Sequence, residues 1–218
     1  NHVSLDGVMQ GPGRPDEDTR GGFRHGGWAQ HDNDPALGAA MGQHLGPDFS
    51  WLFGHRTYDE LLGYWNAAGG PFKEPLNDVR KYVASANPQA DLPWPNSTLL
   101  SGDVPAAIAG LRTQPGGNLV VMGSGQLIRS LLPHGLIDEL FLMIHPIVLG
   151  SGQTLFGPEA VAHPLRLVDT SHTASGVLLA TYQPAPEACA ERRILDEAPP
   201  SHGTSTTDAP PPVRDQCT

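Results

Sequence analysis

The fold is decided by residues 118–128, which read Asn-Leu-Val-Val-Met-Gly-Ser-Gly-Gln-Leu-Ile. The apolar run predicts a buried strand that stops at the glycine pair, Gly123 and Gly125. A helix is then expected from Gln126 to Leu132, and a second strand over 140–148. Strand, glycine turn and helix are typical of a phosphate cradle, because small residues let backbone N–H groups approach a pyrophosphate. The pattern therefore predicts an α/β protein that binds a nucleotide.

A second turn of the same kind follows the predicted strand Phe49–Gly54, and it carries His55, Arg56 and Thr57. The arginine side chain offers a forked set of donors that suits phosphate oxygens. The threonine could cap the helix or donate to a phosphate. A plain strand–helix turn with surface charges is the alternative for this motif taken alone. Two such turns in one sheet favour a dinucleotide with several phosphates.

Composition excludes several classes of protein. The 218 residues include 13 Lys and Arg against 23 Asp and Glu, a net charge of -10, which argues against a nucleic-acid surface. No apolar stretch reaches the length of a membrane span and no signal peptide is visible, so a soluble cytoplasmic protein with no membrane partner is expected. Both cysteines, Cys189 and Cys217, lie near the C-terminus, which excludes a disulfide scaffold. The histidine spacing predicts no metal site.

The chain divides into a folded domain and a tail. Residues 1–183 carry the strand and helix patterns and end in a predicted antiparallel hairpin over 165–169 and 177–182. Residues 184–218 are rich in Pro, Ser and Thr and are expected to be disordered. The Gly- and Pro-rich stretch 10–31 predicts a long functional or mobile loop.

Five segments, taken in order, resemble the dihydrofolate reductase superfamily. Within it, the chain is most similar to the reductase domain of bacterial riboflavin biosynthesis and its stand-alone relatives. The resemblance spans residue 1 to about residue 183. It implies a three-layer α/β fold with a mostly parallel central sheet and a C-terminal antiparallel hairpin. The segments that carry the resemblance are Ser4–Gly7, Gly54–Tyr58, Ser85–Pro88, Met122–Gly125 and Pro146–Phe156.

The resemblance further implies NADPH as the cofactor, held by three segments. The first turn would bind the adenosine 2′-phosphate and pyrophosphate, a strand end would flank the adenosine, and the glycine pair would hold the pyrophosphate through backbone N–H groups. In that order, the implied residues are Gly54, His55, Arg56 and Thr57; Ser85, Ala86 and Asn87; and Gly123, Ser124, Gly125, Gln126 and Leu127.

The implied reaction is hydride transfer to a pyrimidine, pterin or related heterocycle, as in a phosphoribosylamino-uracil reductase. Asp6 and Asp34 are the candidate proton-handling residues. Asp34 precedes Pro35, however, and an ordinary helix cap is the favoured alternative for it. For Asp6 the alternative is a turn residue whose carboxylate bonds its own backbone. Asp32 is a weaker candidate for the same role.

Three more residues are candidates for the substrate side of the site. Gly7 lies in the loop after the first strand, and Phe23 and Trp28 could line a pocket for a planar ring. Simple core packing is the alternative for each aromatic residue. A second reading of the whole chain is a non-catalytic nucleotide- or flavin-binding protein that retains the fold. The resemblance also implies a homodimer formed through strand 141–148 and the closing hairpin.

Overall fold

We describe residues 1–30, 34–158 and 160–186 of a computed structural model of the chain. They form two four-stranded sheets, ordered β4-β3-β2-β5 and β1-β6-β8-β7, flanked by five α-helices. The strands are β1 (His2–Ser4), β2 (Phe49–Gly54), β3 (Lys81–Ala84), β4 (Ser97–Leu100), β5 (Asn118–Val121), β6 (Leu140–His145), β7 (Leu165–His172) and β8 (Leu178–Pro184). The helices are α1 (Pro35–Leu45), α2 (His55–Ala68), α3 (Lys73–Asp78), α4 (Val104–Arg112) and α5 (Gly125–Leu131).

The first sheet is wholly parallel, and this brings the two glycine turns to the same edge. Strand β2 lies between β3 and β5, with Gly54 opposite Ala84 and Leu52 opposite Val121. Because parallel strands end on the same side, the turns that follow β2, β3 and β5 are neighbours. This is the general location of ligands in open α/β sheets.

The second sheet combines a parallel pair, β1 with β6, and the antiparallel strands β7 and β8. Asn1 joins the two sheets: its backbone nitrogen donates to Phe141 O at 2.8 Å, and its Oδ1 accepts from Gly123 N–H at 2.8 Å. The expected combination of a mostly parallel sheet with a C-terminal antiparallel hairpin is therefore confirmed.

Alternate residues of β2 pack into two different cores, which gives the expected three layers. Leu52 faces a cluster with Ile108 of α4 and Ile128 of α5. Phe53 faces the opposite cluster, with Tyr58 of α2, and is fully buried. The side chains of a strand alternate between faces, so the central strand is covered by helices on both sides.

Several element boundaries differ from the predicted ones for local reasons. The sequence predicts helix α2 over Thr57–Tyr64, but the helix begins at His55, directly at the end of β2, and runs on to Ala68. Strand β6 ends at His145 instead of residue 148, because the next residue is Pro146, which has no N–H to donate. Most of the predicted tail, residues 187–218, lies outside the described residues, as does Asp32. Among the described helices, none is both long and apolar enough to cross a lipid bilayer.

Candidate functional site

The two glycine turns touch each other. A β-carbon placed on Gly54 would lie 2.0 Å from Ser124 Oγ, and one placed on Gly123 would lie 3.1 Å from Thr57 Cγ2. Neither glycine can therefore carry a side chain unless the opposite turn moves. Gly54 and Gly123 are 69 positions apart in the sequence. Their turns nevertheless form a single surface at the edge of the sheet.

The backbone of the second turn is shaped for exposed N–H groups. Gly123 (φ 64°) and Ser124 (φ 61°, ψ 62°) both adopt the left-handed conformation, which favours glycine and strains serine. Within the part of the chain that is described, the N–H groups of Ser124, Gly125 and Gln126 have no hydrogen-bond acceptor. These three are the backbone donors left for a ligand.

Two of the expected pyrophosphate contacts are already used inside the protein. Leu127 N–H donates to Ser124 O at 2.9 Å, and its side chain is only 6% exposed in the core. Neither its N–H donor nor its side chain is free, so the predicted role of Leu127 in cofactor binding stays a prediction without a structural feature to support it. The N–H of Gly123 donates to Asn1 Oδ1, so this glycine contributes its close backbone approach instead of a donor.

In the first turn, one side chain is bound within the protein and another is exposed to solvent. His55 is held on both sides: its Nδ1 lies 3.3 Å from Asp59 Oδ2, and its Nε2 lies 3.3 Å from Asp91 O. Arg56 is exposed and makes neither an ion pair nor a hydrogen bond with any described residue. The guanidinium of Arg56 is thus the cation at this turn that is available to an anionic ligand.

The strand end at Ser85–Asn87 reaches the same edge. Ser85 Oγ accepts from Asn87 N–H at 3.1 Å, and Asn87 Oδ1 accepts from Gln89 N–H at 3.0 Å, which folds this segment into a tight turn. The contact between His55 and Asp91 holds the following loop against α2. All three segments expected at the cofactor therefore converge, as the parallel order of β3, β2 and β5 requires.

Asp6 joins the loop after β1 to the loop after β6 by hydrogen bonds, and we call this arrangement the Asp6 clamp. Its carboxylate accepts from Ser4 Oγ at 2.6 Å, from Gly150 N–H at 2.7 Å and from Leu149 N–H at 3.2 Å. The hydrogen bond from Ser4, followed by that from Gly150, lowers the pKa of Asp6 to about 2. A carboxylate with this pKa is ionised near neutral pH, which argues against the proton-donor role. The turn-residue alternative is met only in part, because the carboxylate accepts from Leu149 and Gly150 in another loop.

Asp34 serves as the N-cap of α1. Its Oδ1 accepts from Ala36 N–H at 2.9 Å, and Pro35 occupies the first helical position. This arrangement satisfies one of the free N–H groups at the helix start. The cap alternative accounts for the residue, and a catalytic role for Asp34 stays a prediction without a structural feature of its own.

The stretch 10–30 folds onto the protein body around a buried glutamine. Gln10 is 4% exposed; its Nε2 donates to Arg20 O at 3.0 Å and its Oε1 accepts from Gln153 N–H at 2.9 Å. Trp28 Nε1 donates to Gln10 O at 2.8 Å. Phe23 and Trp28, 6% and 4% exposed, pack with Val8 in a small core of their own.

The packing of Phe23 and Trp28 favours the core alternative over the predicted substrate contact, since neither ring is open to a ligand. Gly7 differs: it is in the left-handed region at φ 78°, and the space where a side chain would project is open. It therefore supplies a tight turn directly after Asp6.

The α-carbon of Gly125 faces the protein interior, although its N–H is one of the three backbone donors left for a ligand. A β-carbon there would lie 2.4 Å from Met9 Sδ and 3.2 Å from Arg129 Nη1. Its lack of a side chain is required by the loop after β1. Sequence reasoning missed Met9, because no local pattern connects it to a turn far along the chain.

A buried histidine pair was also missed. His2 Nδ1 and His145 Nε2 are 2.8 Å apart on the neighbouring strands β1 and β6. Burial, followed by nearby positive charge, lowers the pKa of His2 to about 3. Within the described ranges, no group of three or more His, Cys, Asp or Glu side chains could hold a metal ion.

Comparisons with known proteins agree with this architecture. A profile of the RibD C-terminal domain family matches residues 70–179. An uncharacterised protein of Bacillus subtilis, YyaP, is 38% identical over 136 residues, which cover 60% of this chain and 71% of that protein. A second one, YwjB, is 29% identical over 105 residues, covering 48% of this chain and 60% of that protein.

Solved structures share the fold at low sequence identity. A putative riboflavin biosynthesis protein from a Shewanella species has a TM-score of 0.60 at 22% identity, covering 85% of this chain and 96% of its own. A pyrimidine reductase-like protein from Corynebacterium diphtheriae has a TM-score of 0.59 at 13% identity, covering 85% and 90%. A dihydrofolate reductase from Enterococcus faecalis, solved with NADP(H), has a TM-score of 0.56 at 14% identity, covering 85% and 94%.

Proposed function

The chain belongs to the RibD C-terminal domain family, and from this premise we propose that it is an NADPH-dependent reductase of a pyrimidine, pterin or related heterocycle. The single observation that carries the proposal is the contact between the two glycine turns at Gly54 and Ser124. It makes one continuous surface from two turns, with unpaired backbone donors on one and a free guanidinium on the other. A dinucleotide with several phosphates fits such a surface.

The residues present fit NADPH. Arg56 is placed to pair with the adenosine 2′-phosphate, since it is exposed and has no acidic partner among the described residues. The N–H groups of Ser124, Gly125 and Gln126 would hold the pyrophosphate, and the turn at Ser85–Asn87 would flank the adenosine. The nicotinamide supplies the hydride when NADPH is bound.

The protein's own contribution would be alignment and the exclusion of water. The clamp at Asp6 fixes the loop after β1, and Gln10 fixes the stretch that follows it. A site held on rigid strand ends keeps the reacting atoms in one geometry, which is a large part of the rate enhancement available to a cofactor enzyme. Asp6 would act here as a positioning residue and not as an acid.

The direct test is to follow NADPH oxidation by absorbance with a panel of heterocycles that contain a C=N or C=O bond. Activity with one of them, and much weaker activity with NADH, would support the proposal. The Arg56→Ala variant is the matched control, because it should raise the KM for NADPH without changing the fold. Tight NADPH binding with no oxidation across the panel would contradict the proposed reaction.

One observation favours a second candidate, a nucleotide- or flavin-binding protein without catalysis. The carboxylates of Asp6 and Asp34 are both engaged in structural hydrogen bonds. A reductase of this kind also needs a proton, which would then have to come from water or substrate. Absorbance of the purified protein near the flavin bands, or NADPH binding without turnover, would support this candidate.

We also propose that the protein forms a homodimer through β7 and β8. The edge strand β7 exposes Leu167 and Val168 by 50% and 44%, and Leu178 of β8 is 40% exposed. Exposed apolar side chains on a sheet edge favour association. Sedimentation or light scattering of the wild type and of Val168→Lys would test this, with a shift to monomer expected for the variant.

A further inference from the structure

A cavity lies at the C-terminal part of α5, and its lining residue Arg129 also approaches Gly125 of the second glycine turn. It has a volume of about 550 Å³ and opens between the end of α5 and residues 152–158 and 160–163, which follow β6. None of its lining residues belongs to the turns at residues 54–57, 85–87 or 123–126. The volume lies within the range of small-molecule sites, roughly 300–1,000 Å³.

A fixed cation lines this cavity. Arg129 Nη1 donates to Thr154 O at 2.8 Å and to Leu155 O at 3.0 Å, which holds the guanidinium in one place. Among the described residues, Arg129 has no acidic partner, and its other two nitrogens make no hydrogen bond. Because neutral carbonyls leave the charge uncompensated, the side chain remains able to bind an anion.

A buried nitrogen without a partner lines the same cavity. Nε2 of His163 is buried and has no hydrogen-bond partner among the residues that the structure describes. Buried polar atoms in folded proteins are almost always hydrogen-bonded, so this nitrogen is a candidate to bind a ligand. A carboxylate oxygen is a suitable partner for this nitrogen in its N–H form.

Apolar side chains make up about half of the lining. Leu132 and Pro133 follow α5, and Phe156 and Val161, exposed by 38% and 68%, belong to the segment after β6. Apolar walls with a few convergent polar groups are characteristic of sites for small organic ligands. We propose that this cavity binds a small organic anion, with its carboxylate between Arg129 and His163 and its apolar body against these walls.

Benzoate is a suitable probe, and neutral benzamide is its matched control of the same shape. Titration calorimetry and ligand-observed NMR should give one benzoate per chain with a Kd of about 1 mM or tighter. Benzamide should bind about tenfold or more weakly, because it lacks the charge that pairs with the guanidinium. Saturating NADPH should leave benzoate binding unchanged, since the two sites share no residue.

Three variants localise the binding. His163→Phe keeps an aromatic ring but removes the orphaned nitrogen, and Arg129→Gln removes the charge; each should weaken benzoate about tenfold. Arg56→Ala removes an exposed guanidinium at the other site and should have no effect. Thermal unfolding of each variant establishes that it is folded. If His163→Phe does not fold, Arg129→Gln still tests the site.

Three results would overturn the site. They are benzoate binding no tighter than benzamide, undiminished binding in both His163→Phe and Arg129→Gln, and displacement of benzoate by NADPH. Absence of benzoate binding at about 10 mM would also exclude it, since that corresponds to less than roughly 3 kcal/mol of binding free energy on the usual scale.

Discussion

Gly54 and Ser124 approach each other so closely that a β-carbon on the glycine would lie 2.0 Å from the serine hydroxyl oxygen. Gly54 ends β2, Ser124 lies in the turn that follows the parallel strand β5, and both belong to the turns that we propose hold NADPH. Ser124 keeps a left-handed backbone, which costs a non-glycine residue about 1 kcal/mol. The contact therefore couples the shape of one turn to that of the other.

Gly54→Ala should destabilise the protein by about 1–3 kcal/mol, because the new methyl group overlaps the Ser124 side chain. NADPH should bind more weakly as well, since the second turn must shift. The double variant with Ser124→Gly should recover most of the lost stability, as it removes the overlapping atoms and the backbone strain. Chemical denaturation of the two variants and the wild type measures this, and failure of the second substitution to rescue would disprove the coupling.

Arg56→Ala should weaken NADPH about tenfold or more and NADH by less than about twofold, because only NADPH carries the 2′-phosphate. Fluorescence titration with both dinucleotides is the measurement. Arg80→Ala is the control, since Arg80 is also exposed but precedes β3 at the opposite end of the strands. Equal losses for NADPH and NADH would reject the assignment of Arg56.

Gly125→Val should destabilise the fold by about 1–3 kcal/mol and abolish dinucleotide binding, because its side chain would displace Met9. Binding could be lost because valine displaces Met9 or because it crowds the pyrophosphate directly. Only displacement of Met9 would also lower the stability of the protein without ligand. Adding Met9→Ala should restore part of the stability if Met9 is the obstacle. Unchanged stability of Gly125→Val alone would contradict the packing of these two residues.

Asp6 should make the stability of the folded protein decrease as the pH falls into the acid range. Its folded-state pKa is lowered to about 2, so its contribution is present above the usual value of 3.8 and is lost as the pH falls from there through about 2. Asp6→Asn should therefore flatten the decline of the unfolding temperature across this window. Asp34→Asn is the matched comparison, because asparagine is an equally good N-cap. Parallel profiles for the wild type and Asp6→Asn would contradict the clamp.

Much of the fold was predictable from local patterns. Strand β2 has the predicted bounds, Phe49–Gly54, because an apolar run and a final glycine fix them locally. The start of α2 was predicted two residues late, since nothing in a strand–glycine–helix sequence marks where the chain begins to turn. The prediction that two glycine turns lie in one sheet was confirmed by the parallel pairing of β2 with β5.

The site was predictable only in part. The turns were visible because glycine and small residues at a strand end are a local signal, and Arg56 was visible because a forked donor beside such a glycine suits phosphate oxygens. Leu127 and Gly125 were assigned to the cofactor for the same local reason, yet one lies in the core and the other against Met9. Whether a side chain in a turn points inward depends on what packs there from elsewhere in the chain.

By itself, the sequence determined that this is an α/β chain with two glycine turns and a guanidinium beside one of them, because those features depend on neighbours within about ten residues. Only the tertiary structure decided that the turns form one surface, that Asp6 is a clamp, and that Arg129 and His163 line a second cavity. The physical reason is that hydrogen bonds and close packing between distant segments leave no periodic trace in the sequence. Asp6 and Gly150 are 144 positions apart, and only the pairing of β1 with β6 brings them together.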